Sequence, residues 1–150
     1  MDDKMIQIPR ADSIRGLVQD LSERLDARMA ELRQATPFGN VSPADAKMFM
    51  LISRQPRSVA DLARALGISR QAAHKTVSRL IAADAVELQD LPDNRRDKLV
   101  VVTRRGHEAR RYASTMISTI EGEIESKLGR DRMELLRDLL CELLERPRAS

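Results

Sequence analysis

Arg70, Gln71, His74, Lys75 and Ser78 fall within nine residues of one another in the stretch SRQAAHKTVSRL. If that stretch is helical, these side chains share one face, while Ala73, Val77 and Leu80, spaced i, i+4 and i+7, share the other. The polar set holds the groups that read a major groove. Gln can pair with adenine and Arg with guanine, while Lys and Ser reach phosphates or base edges. Ser69 stands directly before them, as a helix N-cap. A solvated face could have the same composition, so the helix alone decides nothing.

A second set lies about twenty residues on, in LPDNRRDKLVVVT, where Arg95 and Arg96 stand side by side. Its second half reads as a β-strand and Val86–Gln89 as the partner strand. That leaves Leu91 to Asp97 as an expected seven-residue, glycine-free loop tipped by arginines. Two residues would suffice for a plain hairpin. A longer basic tip is suited to reach a minor groove, whose narrowness concentrates negative potential and favours Arg. Asp90, Asp93 and Asp97 are expected to brace the arginines.

The inventory is poor for catalysis. His74 and His107 are the two histidines, 33 positions apart, and Cys141 is the one cysteine. There is no Gly-rich phosphate loop and no cluster with metal-ligand spacing. No catalytic residue, metal or cofactor is therefore expected, and the chain does not read as an enzyme. Cys141 lies among leucines and reads as a structural residue rather than a redox sensor.

Charge placement agrees with the DNA reading. Residues 54–105 hold 11 Lys/Arg against 6 Asp/Glu, or +5, while the remainder holds 15 against 17, or −2. The basic excess sits where the candidate contacts sit. Apolar residues make up 42% and aromatics 2%, which favours a helical core of Leu, Ile, Val, Met and Ala. Methionines 29, 48, 50, 116 and 133 are expected to fill it. One cysteine suits a reducing compartment, and no apolar run approaches the ~20 residues of a membrane span. The expectation is a soluble, cytoplasmic protein without a membrane partner.

The elements that must carry these residues can be read from spacing and punctuation. Apolar periodicity predicts a helix over 12–34, broken by TPFGN. SPAD offers an N-cap, a first-turn proline and an acid for a helix over 43–53. Ser58 with Asp61 resembles a capping box for a helix over 59–66, which Gly67 stops; Ser69 caps the next, over 70–83. Two short helices joined by a tight Gly-containing turn are a helix-turn-helix signature. Thr103 caps a long helix over 104–128, and DRME suggests a capping box for a last helix over 131–145. The fold class is mainly α, a winged helix-turn-helix with flanking N- and C-terminal dimerisation helices. The expected division is 1–38, 39–105 for DNA binding, and 106–150.

The stretch from Ser58 to Ala109 resembles the MarR (multiple antibiotic resistance regulator) family of transcription regulators. The resemblance rests on LARALGIS, VSRLIAADAV, the PDNRR tip, KLVVVT and a Thr-x-x-Gly helix start. The flanking helices match only in number, length and order. Three departures stand out: Asn94 where the family often has Asp, Asp84 where it often has Gly, and Ala72 and His74 at positions often Thr or Ser. The resemblance implies a DNA-binding transcription regulator, more often a repressor, acting as a homodimer on a pseudo-palindromic double-stranded operator. The competing reading is a winged-helix protein-interaction module without DNA binding.

The Leu135/Leu136, Leu139/Leu140 and Leu143/Leu144 pairs supply more apolar surface than one small domain needs, which also favours a homodimer. By resemblance, a small aromatic or phenolic effector would lodge between the dimerisation helices and the winged helix. Arg15, Phe49, His107 and Arg111 are the expected ligand-binding residues, within walls mainly of Leu, Met and Ile because aromatics are so few. A regulator with no effector stays open as the alternative.

Overall fold

The computed structural model describes residues 12–91 and 93–149, apart from the side chains of Asn94 and Arg95. Helix α1 spans Ile14–Gln34, with the hydroxyl of Ser13 accepting from the Gly16 amide at its start. Helix α2 spans Pro43–Arg54, and Ser42 caps it by accepting from Asp45 N. A two-residue strand β1, Arg57–Ser58, leads into α3, Val59–Leu66. Gly67 takes the left-handed conformation at φ 64°, and α4 follows over Arg70–Ala82. Strands β2, Val86–Leu91, and β3, Asn94–Val102, form the wing. Helices α5, Arg104–Leu128, and α6, Arg130–Leu143, complete the chain.

Every expected helix is present, with ends within two residues of the reading, because caps punctuate most of them. The last helix is the exception in chemistry. Gly129, at φ 80°, occupies its N-cap without a side-chain bond, so Asp131 lies in the first turn and the expected DRME capping box does not form. β1 went unread, since two residues are too few to show alternation. It pairs antiparallel with β3, giving the strand order β1-β3-β2 and making β3 central.

The wing also corrects the expected seven-residue loop. β2 continues to Leu91 and β3 begins at Asn94, so Arg95 and Arg96 lie within a strand. The register jumps instead: Leu91 faces Asn94, while the adjacent Asp90 faces Lys98. Residues 95–97 therefore form an excursion of β3 between two paired positions. A bulge absorbs extra residues while the ladder on either side keeps its hydrogen bonds, and it re-aims side chains. The expected bracing by Asp90 falls on Lys98 at 3.6 Å rather than on an arginine.

The core joins α2, α3, α4 and the sheet through Met48, Phe49, Ile52, Leu62, Ala63, Ala73, Val77, Leu80, Ala85, Val86 and Val100. The i, i+4, i+7 face of α4 points inward as read. Met48 and Met116 are buried, while Met29, Met50 and Met133 are half-buried, as is Cys141. Two junctions are tightly specified. Asp84 holds φ at 57°, left-handed, where the family often has Gly, and its carbonyl accepts from Thr103 Oγ1. A Cβ on Gly106 would sit 2.1 Å from the Ala85 carbonyl oxygen and 2.6 Å from Val102 Cγ1. Only a glycine lets α5 start this close to the wing.

Helices α1 and α6 bury no residue fully. α1 packs along α5, where the Arg28 guanidinium holds Glu123 at 2.6 Å. α6 folds back on α5, with Arg137 Nη1 3.0 Å from Glu121 Oε1. Leu143 stays 72% exposed and Ile14 70%. Among the described residues no helix is long and apolar enough to cross a membrane.

Candidate nucleic-acid interface

Ser69 caps α4 by accepting from the Ala72 amide at 3.1 Å, so its oxygen is engaged in holding the helix start. From there α4 divides as its spacing dictates. Ala73, Thr76, Val77 and Leu80 are buried, and Arg70, Gln71, His74, Lys75 and Ser78 are exposed. All six residues read as α4 contacts are thus on or beside its outer face.

The wing turns this face into a groove. Its walls are the N-terminus of α3 (Ser58, Val59, Ala60), the α4 residues Arg70, His74, Val77, Ser78 and Ile81, and the wing residues Leu88, Arg96, Asp97 and Lys98. Four residues from the two expected sets, Arg70, His74, Ser78 and Arg96, therefore converge. Gln71 and Lys75 are exposed on α4 outside the groove walls. Arg95 belongs to the excursion by backbone, and its side chain lies outside the described residues. Within the groove Arg70, Arg96 and Lys98 face one acid, Asp97, so the field favours an anion. Apolar side chains join the same lining, from Val77, Ile81 and Leu88. Such a surface can accept phosphates at its rim and base edges or thymine methyls beneath them.

One residue the sequence reading missed supports α4 from behind. The Arg79 Nε donates to both carboxylate oxygens of Asp45 at 3.1 Å, and its Nη2 donates to Asp45 Oδ1 at 2.7 Å and to Thr76 Oγ1 at 3.0 Å. The hydrogen bond to Asp45, and after it the negative charge of that carboxylate, push the Arg79 pKa upward. A contact across 34 residues leaves no local signature.

The expected effector residues scatter. Phe49 lines an apolar cavity between α1, α2, the end of α4 and α5. His107 and Arg111 instead border a separate polar depression with Glu87, Arg104 and Glu108, while Arg15 is exposed near the start of α1. The cavity draws on the helices expected to frame it and, of those four side chains, on Phe49 but not on Arg15, His107 or Arg111. All three aromatics, Phe38, Phe49 and Tyr112, join Met29, Met50 and Met116 in its walls. Phe38 meets Tyr112 edge-on at 5.7 Å, and Arg105 lies 5.5 Å over the Phe38 ring. Arg33 and Thr36 supply polar groups to the cavity wall. The i, i+3, i+4, i+7 run of Ala109, Tyr112, Ala113 and Met116 was the available signal.

Among the described residues no group of His, Cys, Asp or Glu could hold a metal ion. A small three-stranded wing beside a helix-turn-helix, flanked by three long helices, defines the class of winged-helix proteins. The sequence profile of the MarR family matches residues 40–97, which carry the winged helix. No curated protein matches the chain significantly in sequence. Among solved structures it is similar to RV1404 from Mycobacterium tuberculosis, with a TM-score of 0.76 and 24% identity over 95% of this chain and 99% of that one. It is also similar to apo MarR from E. coli, with a TM-score of 0.75 and 19% identity over 88% of this chain and 96% of that one. The transcriptional regulator Tm0710 from Thermotoga maritima gives 0.64 and 23% over 87% and 93%. At these identities the likeness is one of fold.

Proposed function

We propose that the protein is a sequence-selective DNA-binding transcription regulator, working as a homodimer and most simply as a repressor. The observation that carries this is the convergence of Arg70, His74 and Ser78 of α4 with Arg96 of the wing on one cationic groove. In this reading α4 enters the major groove and the wing excursion follows the adjacent minor groove. The parts divide as 1–38 and 106–150 for dimerisation and 39–105 for DNA binding. Exposed Ile14, Leu17, Val18 and Leu21 on α1 and Leu135, Leu139 and Leu143 on α6 support the dimer, because an apolar surface of that extent invites a partner.

A dimer with two-fold symmetry reads a pseudo-palindrome whose half-sites lie about one helical turn, ~10 bp, apart. Selection from random-sequence duplex DNA should enrich such a site. Failure to enrich any sequence would remove the specific-binding reading.

The aromatic-walled cavity supports the effector version of this function, in which a small aromatic or phenolic molecule releases DNA. The helices α2 and α4 both contribute to its wall, so an occupant that spreads them would favour a non-binding arrangement. Such a ligand must bind that arrangement more tightly than the DNA-binding one. Phenolic acids titrated into the protein–DNA complex test this, and a shift of less than about threefold across the series would leave a regulator without that effector.

A further inference from the structure

Asp45 and Thr76 are the buried polar or charged residues among those described, at 8% and 7% exposure. Both are held by one group, the Arg79 guanidinium, which forks onto the carboxylate and reaches the hydroxyl. The two partners sit on different helices, Asp45 in the first turn of α2 and Arg79 in the last turn of α4. Met48 and Ile52 of α2 and Ala73, Val77 and Leu80 of α4 belong to the same apolar core cluster. Apolar packing is non-directional, so it fixes how deeply α4 is seated more firmly than how it is rotated about its own axis. A bidentate guanidinium–carboxylate contact is directional and fixes that rotation.

Rotation matters because Arg70, His74 and Ser78 share a groove with Arg96 of the wing. Turning α4 by a fraction of its circumference would move all three relative to Arg96 while leaving the net charge of the surface unchanged. We propose that Arg79, clamped by Asp45, is a positioning residue for DNA recognition: it sets the angle at which α4 presents its outer face alongside the wing. Ala46 and Leu80, which follow Asp45 and Arg79 in sequence, line the cavity from α2 and α4. The proposal rests on the DNA-binding reading and adds that selectivity, as distinct from electrostatic attraction, depends on this pair.

The test uses the full chain, a duplex selected by the unaltered protein from random DNA, and a scrambled duplex of equal composition. Arg79→Lys keeps the charge and loses the fork; Asp45→Asn keeps the shape and loses the charge. Circular dichroism melts establish that each variant is folded at the assay temperature. Each should lose about tenfold in affinity for the selected duplex, with less than about a twofold change for the scrambled one. The double variant should be no worse than the weaker single variant, as expected for two ends of one interaction. Folded variants that bind both duplexes as the unaltered protein does would overturn the proposal. So would an equal loss on both, which would make Arg79 a phosphate contact or the pair merely structural. Should Asp45→Asn fail to fold, Arg79→Lys decides alone, because it leaves the buried carboxylate a cation. Failure of the unaltered protein to distinguish the two duplexes would instead remove the DNA-binding reading, and this inference with it.

Discussion

Gly106 and Thr103 show what a short motif means in physical terms. The Thr103 hydroxyl accepts from the Gly106 amide at 3.0 Å and donates to the Asp84 carbonyl, while the glycine lets α5 press onto Ala85. The Thr-x-x-Gly spacing was legible as a helix start; the close approach that requires the glycine, where an added Cβ would lie 2.1 Å from the Ala85 oxygen, was not, because Ala85 is 21 residues away in sequence. Gly106→Ala should cost about 3 kcal/mol, since the obstacle is backbone that cannot swing aside. A melting midpoint within 2 °C or so of the unaltered protein would refute that close packing. The outward placement of Arg70, His74 and Ser78 was legible from helical spacing alone, whereas the role of Arg79 was hidden because its partner lies on another helix. On the wing, Arg96→Ala should leave the fold intact, weaken binding across sequences and reduce the salt slope by about one per protomer. Unchanged affinity at physiological salt would count against a groove contact by Arg96.

Helices were legible to within two residues where Ser13, Ser42, Ser58, Ser69 and Thr103 mark their starts, although Ser13 itself went unread. The wing was legible as a hairpin but not in its course. A bulge depends on cross-strand register, which the single strand sequence does not display. Between elements, α1 is tied to α5 by Arg28, whose hydrogen bond holds the Glu123 carboxyl below the usual carboxylate range. Asp61 is likewise held low, first by Ser58 and then by Arg64. A carboxyl with a depressed folded pKa contributes stability that is fully present above its unfolded pKa and is lost as pH falls through the folded one. The melting midpoint should therefore decline as pH drops below about 4. Glu123→Gln should flatten part of that decline while lowering the midpoint at neutral pH. A variant whose pH profile superimposes on that of the unaltered protein would show that the Arg28–Glu123 pair contributes nothing to holding α1.

For the whole molecule, the chain places its buried core around the winged helix and leaves α1 and α6 with apolar faces uncovered. That surplus was legible in the paired leucines, because each pair widens the apolar stripe beyond what one neighbour can cover. The aromatic cavity was not, since Phe38, Phe49 and Tyr112 come from three separate segments that only the tertiary fold brings together. If the uncovered faces meet a second copy, Leu139→Glu should convert a dimer to a monomer in sedimentation at micromolar concentration. Loss of the dimer should also cost selected-site affinity far more than non-specific affinity, since two half-sites are no longer read together. A monomeric unaltered protein would contradict the arrangement. The central claim, that the groove between α4 and the wing is a DNA surface, is tested most directly by a salt titration of the dissociation constant on the selected duplex. Six to ten phosphate contacts from two copies would weaken binding roughly 1,000-fold or more between about 50 and 200 mM salt, as condensed counterions are released. Affinity that stays flat over that range, or no binding at the lowest salt, would contradict it.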